Sequence, residues 1–301
     1  MSAGETKYAV GCIGIGKMGL PMAKCVVEHG YPLHAYDTSA AALKAIGAVS
    51  GVNTLASLAD IGRACEVVIL MLPDSAAVKK VLYGEGDALA PQLRRGAVVI
   101  DMSSSSPSVT RELGPRLKQA DVDLIDAPVS GGVKRAVDGS LAIMAGGDAA
   151  VIARVKPLLL TMGKSVIETG MLGSGHAMKA LNNYVSAAGL LAACEALKVG
   201  ADFGIAPDKI VAVLNASTGK NNSTENKLMQ FIVPGSFNSG FSLGLMKKDI
   251  NIATDLAQSV GAQTLLGEVL LKSWADAEKK LSGAADHTEI YRMLERGGSR
   301  K

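Results

Sequence analysis

Gly14, Gly16 and Gly19 stand in the spacing G-x-G-x-x-G, with Ile15, Lys17 and Met18 filling the gaps. The first glycine permits a tight turn out of a strand. The second has no side chain to hold a pyrophosphate off the backbone, and the third lets a helix pack closely on that strand. Such a helix turns its positive N-terminal end toward the phosphates. An apolar run from Tyr8 precedes the glycines and a helical pattern follows them, so the context the motif needs is present. Asp37 closes a second strand-like run, Pro32 to Tyr36. A carboxylate there accepts hydrogen bonds from an adenosine ribose and repels a 2′-phosphate, and no Arg stands at Thr38 or Ser39 to welcome that phosphate. NAD is therefore the expected cofactor and NADP the disfavoured one. Asp37 would also suit the N-cap of the next helix, since Asp, Thr and Ser all cap well.

A second set of residues could move a proton. Gly173-Ser-Gly-His-Ala-Met-Lys-Ala-Leu-Asn-Asn183 opens a long helical pattern. Lys179 and Asn183, four apart, share a face, with Asn182 beside it. A lysine in the first turns of a mostly apolar helix is costly without a task or a partner. Desolvated near a nicotinamide, it could exchange a proton with a substrate hydroxyl. A lysine that snorkels to the surface fits the same pattern. His176, one turn earlier, is either a rival base or a local hydrogen-bonding residue. Upstream, Asp126-Ala-Pro-Val-Ser-Gly-Gly132 follows a strand-like run. Gly131 and Gly132 expose backbone N–H groups and Ser130 adds a hydroxyl, which suits a carboxylate cradle; an ordinary glycine loop reads the same way.

These residues need a scaffold. Short apolar or β-rich runs fall at 8–14, 32–36, 67–72, 97–101, 122–126 and 141–145, and helical patterns separate the first five. That alternation predicts an α/β fold, a doubly wound parallel sheet of the Rossmann type with right-handed crossovers. Ligands of such sheets sit beyond the carboxyl ends of the strands. Leu72 and Pro73 therefore face the cofactor crevice, as do the serines after Asp101, Ser104 among them, although serines there also serve as turn and cap residues. Gly163 to Gly175 is glycine-rich without a period, and the domain boundary is placed there. Residues 1–172 are read as the NAD-binding domain. Residues 173–301 are read as an all-α substrate and oligomerisation domain on a long central helix, His176 to Phe203. So little polar surface on that helix predicts burial from several sides. Ala206-Pro-Asp-Lys209 opens the next helix, 215–226 reads as polar loop, 241–260 and 265–281 as further helices, and the tail Gly297 to Lys301 as disordered.

A chain of 301 residues suggests about two domains. With 48% hydrophobic and 20% charged residues it is expected to be globular. A net charge of +3 is too small to suggest a nucleic-acid partner. Cys12, Cys25, Cys65 and Cys194 form no C-x-x-C, so neither a metal site nor a disulfide framework is expected, and a reducing compartment, the cytoplasm, fits. The polar N-terminus is no signal peptide, and Ala180 to Cys194 reads as too short and too polar to cross a bilayer. Apolar faces left on the spine helix would find a partner, so a homodimer or homotetramer is expected.

Gly14, Gly16 and Gly19 with Met18 and Met22, Leu72-Pro73, Asp126 to Gly132, Gly173-x-Gly175-x-x-x-Lys179-x-x-Asn182-Asn183, and Lys248-Asp249 occur together and in order. This combination resembles the β-hydroxyacid dehydrogenase family, whose members include 3-hydroxyisobutyrate dehydrogenase and tartronate semialdehyde reductase. The resemblance runs from about Tyr8 to Leu294. It implies NAD-dependent oxidation of the β-hydroxyl of a small 3-hydroxy acid, or reduction of the matching semialdehyde. It further implies that Lys179 is the catalytic lysine, that Ser130, Gly131 and Gly132 hold the substrate carboxylate, that Asn183 orients the substrate, and that Lys248 reaches cofactor and substrate.

Three departures from the family pattern bear on the substrate. Lys134 and Arg135 stand where many relatives have small residues, and could bind a second anionic or polyhydroxylated group; a solvated charge pair is the alternative. Asn221, Asn222 and Ser223 replace a Trp-containing segment, and a more polar pocket disfavours a methyl-bearing substrate. Lys247 adds a cation beside Lys248. Together they favour a polar substrate such as threonate, glycerate or serine over 3-hydroxyisobutyrate itself. A non-catalytic dinucleotide-binding sensor or scaffold is the competing class, 6-phosphogluconate dehydrogenase would need a longer chain, and Lys179 argues against an imine reductase.

Overall fold

Parallel strands covered by helices on both faces must be apolar on both sides, and the runs Val67-Val-Ile-Leu70 and Val98-Val-Ile100 meet that demand. The computed structural model describes residues 7–295, so the expected disorder of Gly297 to Lys301 lies outside the described residues. Two compact units divide between Lys179 and Ala180.

The first unit runs β1 (Val10–Ile13), α1 (Gly19–Glu28), β2 (Leu33–Tyr36), α2 (Ala40–Gly47), β3 (Val52–Thr54), α3 (Leu58–Ala64), β4 (Val67–Leu70), α4 (Ser75–Tyr83), β5 (Val98–Asp101), α5 (Pro107–Lys118), β6 (Asp123–Asp126), β7 (Val129–Ser130), α6 (Gly132–Val137), β8 (Leu141–Gly146), α7 (Ala149–Met162), β9 (Gly163–Gly170) and the start of α8 (Ser174–Asp202). Strands order as β3-β2-β1-β4-β5-β6, all parallel, then β8 antiparallel to β6. Val10 pairs with Leu33 on one side and Val67 on the other, so β1 is the strand at which the winding reverses. Side chains alternate between two cores, as a period of two requires. Val67 and Ile69 join one with α1 and α7, while Val68 and Leu70 join the other with α3 and α5.

The six expected strands are present, with β3, β7 and β9 in addition. Gly163 to Gly170, read as aperiodic, is a strand parallel to β8 with two register shifts. Its burial does not alternate cleanly, which is why no period was legible.

The second unit continues α8 and adds α9 (Pro207–Ala216), α10 (Asn222–Asn226), a π-helical turn (Leu228–Ile232), α11 (Leu243–Ser259), α12 (Gly267–Leu281) and a 3₁₀ segment (His287–Leu294). Its core gathers Leu190, Cys194 and Leu197 of α8, Met246 and Ile250 of α11, and the fully buried Trp274 of α12. Within the segment 215–226 only 217–221 is a loop. The rest holds the end of α9 and a short helix capped by Asn221, whose side chain accepts from the Ser223 and Thr224 N–H groups while Thr224 Oγ1 accepts from the Asn221 N–H.

Two expectations about the spine helix need correction. The burial expected from several sides is incomplete, since Met178, Leu181, Val185 and Val199 are exposed. And α8, at 29 residues, is long and apolar enough to cross a membrane by length and composition, a test that core helices of globular proteins also pass. Its Leu190, Cys194 and Leu197 lie in a protein core instead.

Candidate functional site

The glycine turn leaves the carboxyl end of β1. Gly14 has φ +94°, and a Cβ there would stand 2.3 Å from the Met71 carbonyl oxygen. A Cβ on Gly19 would stand 1.9 Å from the Gly14 carbonyl oxygen. Both positions thus need glycine for packing. Gly16 differs, because it is exposed and a Cβ there would meet nothing within 4 Å. Space held open above a bare backbone, at the N-terminus of a helix with no side-chain cap and no acidic residue in its first turn, fits a pyrophosphate. Lys17 is exposed, Met18 half-buried and Ile15 buried beneath the turn.

Asp37, at the carboxyl end of β2, accepts from the Ile15 N–H at 2.6 Å and the Ser39 N–H at 2.7 Å. It does not cap α2; Ser39 does, accepting from the Ala42 N–H. The carboxylate is thereby fixed beside the glycine turn. Across the switch point, Ser103 Oγ accepts from the Leu72 N–H at 2.9 Å and Ser105 Oγ donates to Asp101. Those two serines are buried, whereas Ser104 is half-buried, Leu72 half-buried and Pro73 exposed. These residues fit an NAD(P) cofactor.

The proton-moving residues are seated by a carboxylate at the end of β6. Asp126 is fully buried and accepts from the Gly173 N–H at 2.7 Å and the His176 N–H at 2.8 Å, so it ties down the first turn of α8. Burial raises its pKa, and the neighbouring His176 and the two N–H donors oppose that rise. His176 has its ring enclosed: Nδ1 is 2.8 Å from Thr110 Oγ1, and Asp101 and Asp126 oxygens each lie at 3.8 Å. It is a packing and hydrogen-bonding residue, and an enclosed ring is no rival base. Gly175 is small because a Cβ would stand 2.3 Å from the Met144 carbonyl oxygen. One turn on, Lys179 Nζ donates to the Val129 carbonyl oxygen at 2.8 Å. That oxygen belongs to the residue before Ser130. The structure therefore brings Lys179 to the Ser130-Gly131-Gly132 loop, where Ser130 is half-buried and both glycines are exposed at positive φ.

In the second unit, Asn183 is buried and donates through Nδ2 to Asp249 Oδ2 at 2.5 Å, while its Oδ1 accepts from Asn182. Asp249, next to Lys248 in the chain, is thus the buried anchor of Asn183. Lys247, the cation beside Lys248, pairs with Glu278 at 2.5 Å. Asn221 is spent on the fold as a cap, while Ser223 is 1% exposed and its Oγ finds no partner among the described residues. Sequence reasoning gave no role to Asp126, Asp101 or Asp249, and only the positions of Asp101 and Asp126 at the ends of strands signalled one. Among the described residues there is no group of three or more His, Cys, Asp or Glu able to hold a metal ion.

Residues 9–173 match the family model described as the NAD binding domain of 6-phosphogluconate dehydrogenase, and residues 173–294 match the one described as NAD-binding of NADP-dependent 3-hydroxyisobutyrate dehydrogenase. With the glycine turn at the switch strand, this makes the molecule an NAD(P)-dependent dehydrogenase. The chain is 34% identical to the mitochondrial 3-hydroxyisobutyrate dehydrogenase of Rattus norvegicus over 96% of its own length and 88% of that protein's. It is 33% identical to the 2-(hydroxymethyl)glutarate dehydrogenase of Eubacterium barkeri over 83% of each chain. Its fold matches Mycobacterium tuberculosis 3-hydroxyisobutyrate dehydrogenase with L-serine at a TM-score of 0.88 and 28% identity, covering 96% of this chain and 99% of that one. The chain belongs to the β-hydroxyacid dehydrogenase family and is an NAD(P)-dependent hydroxyacid dehydrogenase.

Proposed function

We propose that this enzyme uses NAD to oxidise the β-hydroxyl of a small, polar 3-hydroxy acid, such as threonate, glycerate or serine, or to reduce the matching semialdehyde, with Lys179 as the acid/base. The observation that carries the reading is the 2.8 Å bond from Lys179 Nζ to the Val129 carbonyl oxygen, which holds the amine beside the Ser130–Gly132 loop. Ser130 Oγ and the Gly131 and Gly132 N–H groups receive the substrate carboxylate. Lys179 takes the hydroxyl proton in oxidation and returns it in reduction. Asn183 orients the substrate from its seat on Asp249, and Lys248 reaches cofactor and substrate. The nicotinamide, when bound, accepts the hydride. Gly14, Ile15, Gly16, Lys17, Met18 and Gly19 hold the pyrophosphate, and Leu72, Pro73 and Ser104 line the crevice. Asp37, fixed by two backbone donors, supports NAD over NADP.

3-Hydroxyisobutyrate is the second reading. Its support is the similarity to the rat enzyme, and the polarity of Asn221 does not count against it, since that side chain caps α10. Exposed Val185, Val199, Phe203 and Leu265 on the second unit support a homodimer or homotetramer, and four buried free thiols suit a reducing compartment such as the cytoplasm. The test is NADH formation with serine, glycerate, threonate, 3-hydroxyisobutyrate and 3-hydroxypropionate, with NAD and NADP side by side. Turnover of a polar acid with NAD supports the reading. Silence across the panel, with NAD still bound, overturns it.

A further inference from the structure

We propose that Arg135 recognises a second negatively charged group on the substrate, so that, within the class of small polar 3-hydroxy acids proposed above, those carrying two anionic groups are preferred over monoacids such as threonate, glycerate and serine. This rests on the reading of Lys179 and the Ser130–Gly132 loop given above and names the substrate class of that site.

The path of the Arg135 side chain carries the inference. Gly131 stands at φ +137°, and a Cβ built there would lie 2.5 Å from Arg135 Cδ, 2.8 Å from its Cβ and 3.1 Å from its Cγ. The arginine stem therefore runs over the peptide that follows Ser130, in space that only a glycine leaves vacant. Val129, whose carbonyl receives Lys179, is two residues away, at most about 7 Å along an extended chain. One cation from α8 and one from α6 thus flank the same short loop.

Among the described residues, the charge at Arg135 is uncommitted. Both Lys134 and Arg135 are exposed, and neither side chain enters a hydrogen bond or ion pair among the described residues. Asp138, one turn beyond Lys134 on the same helix, makes no ion pair with it. Other lysines of the first unit do find acids, as in Lys79–Glu112, Lys118–Asp123 and Lys156–Glu168. A guanidinium has five donors and no acceptor, in a planar fork that matches a carboxylate or another oxyanion. Charge-assisted bonds of that kind are about twice as strong as neutral ones, which selects an anion over a hydroxyl. A monocarboxylate held by the loop would leave Arg135 with nothing to bind; a short diacid would satisfy both.

The experiment compares kcat/KM for a diacid, 2-(hydroxymethyl)glutarate, and a monoacid, 3-hydroxypropionate, in the parent and in Arg135→Ala and Arg135→Lys, with circular dichroism to confirm folding. Arg135→Ala is expected to lower the diacid value at least tenfold more than the monoacid value, mainly through KM, and Arg135→Lys to recover part of the difference. Glutarate as a competitive inhibitor should weaken at least tenfold in Arg135→Ala, and propionate by much less. Equal changes for both acids, or a parent enzyme that prefers the monoacid, overturn the assignment of Arg135 and leave that of Lys179 standing. Silence on both acids overturns both.

Discussion

Lys179 Nζ lies 2.8 Å from the Val129 carbonyl oxygen, although the two residues are 50 positions apart. The bond forms because Asp126, at the end of β6, accepts two N–H groups from the start of α8 and so sets the helix against the loop that β6 leads into. An amine placed this way should do proton transfer and little cofactor binding. Lys179→Ala is expected to lower kcat by about 10² or more, with the dissociation constant for NADH within threefold of the parent. Steady-state kinetics and a fluorescence titration check it; turnover within threefold of the parent would show that Lys179 is not the acid/base.

Gly16 and Gly19 belong to one motif and should fail in opposite ways. Alanine at 19 puts a Cβ against the Gly14 carbonyl oxygen, which is backbone and cannot move aside. Gly19→Ala should therefore cost about 1–3 kcal/mol of stability or more. Alanine at 16 meets nothing, so its stability should stay within about 0.5 kcal/mol of the parent. Its cofactor affinity should fall at least about tenfold, because the methyl group occupies the approach of the pyrophosphate. Urea unfolding together with NADH titration separates the two effects.

Those glycines were legible in the sequence because their spacing and the apolar run before them are local. The same holds for β1, β2, β4, β5 and β6. What could not be read depends on partners far along the chain. Asp126 acts on amides 47 and 50 residues away, and Asn183 is held by an aspartate 66 residues away. The segment 215–226 misled for a different reason. Asn and Thr were taken as loop formers, while Asn221 and Thr224 stand at the spacing of a capping box without its usual acidic partner. Polarity near helix ends marks caps as often as it marks pockets.

Asp37 should decide between the two nicotinamide cofactors. Its carboxylate is half-buried and pinned by the Ile15 and Ser39 N–H groups, so it cannot swing away from a 2′-phosphate. Asp37→Asn keeps one acceptor for those donors and removes the charge. The ratio of kcat/KM for NADP to that for NAD should rise at least about tenfold, the scale of one partly screened like-charge contact. A ratio that stays put would assign the discrimination to other residues of the crevice.

Lys227 offers a test of stability rather than catalysis. It follows α10, lies half-buried, and reaches Ser186 Oγ only at 3.5 Å. Burial pushes its pKa from 10.5 down to about 8, and the charge of Asp286 only partly opposes that fall. Asp286 is itself satisfied by Ser239, Gly240 and Thr288, so it does not depend on the lysine. Below pH 8 the ammonium is charged in both folded and unfolded chains and carries its full burial cost. Between pH 8 and 10.5 the unfolded chain binds more proton than the folded one, so this group makes stability rise with pH. Lys227→Met removes the cost, and at pH 7 should stabilise the protein by about 1–3 kcal/mol. The gain should shrink through that window and vanish above it. Urea unfolding of both proteins at several pH values measures this. A gain that does not change with pH would mean that it comes from packing and not from the buried charge, and a loss at pH 7 would mean that the ammonium is well paired in the folded protein.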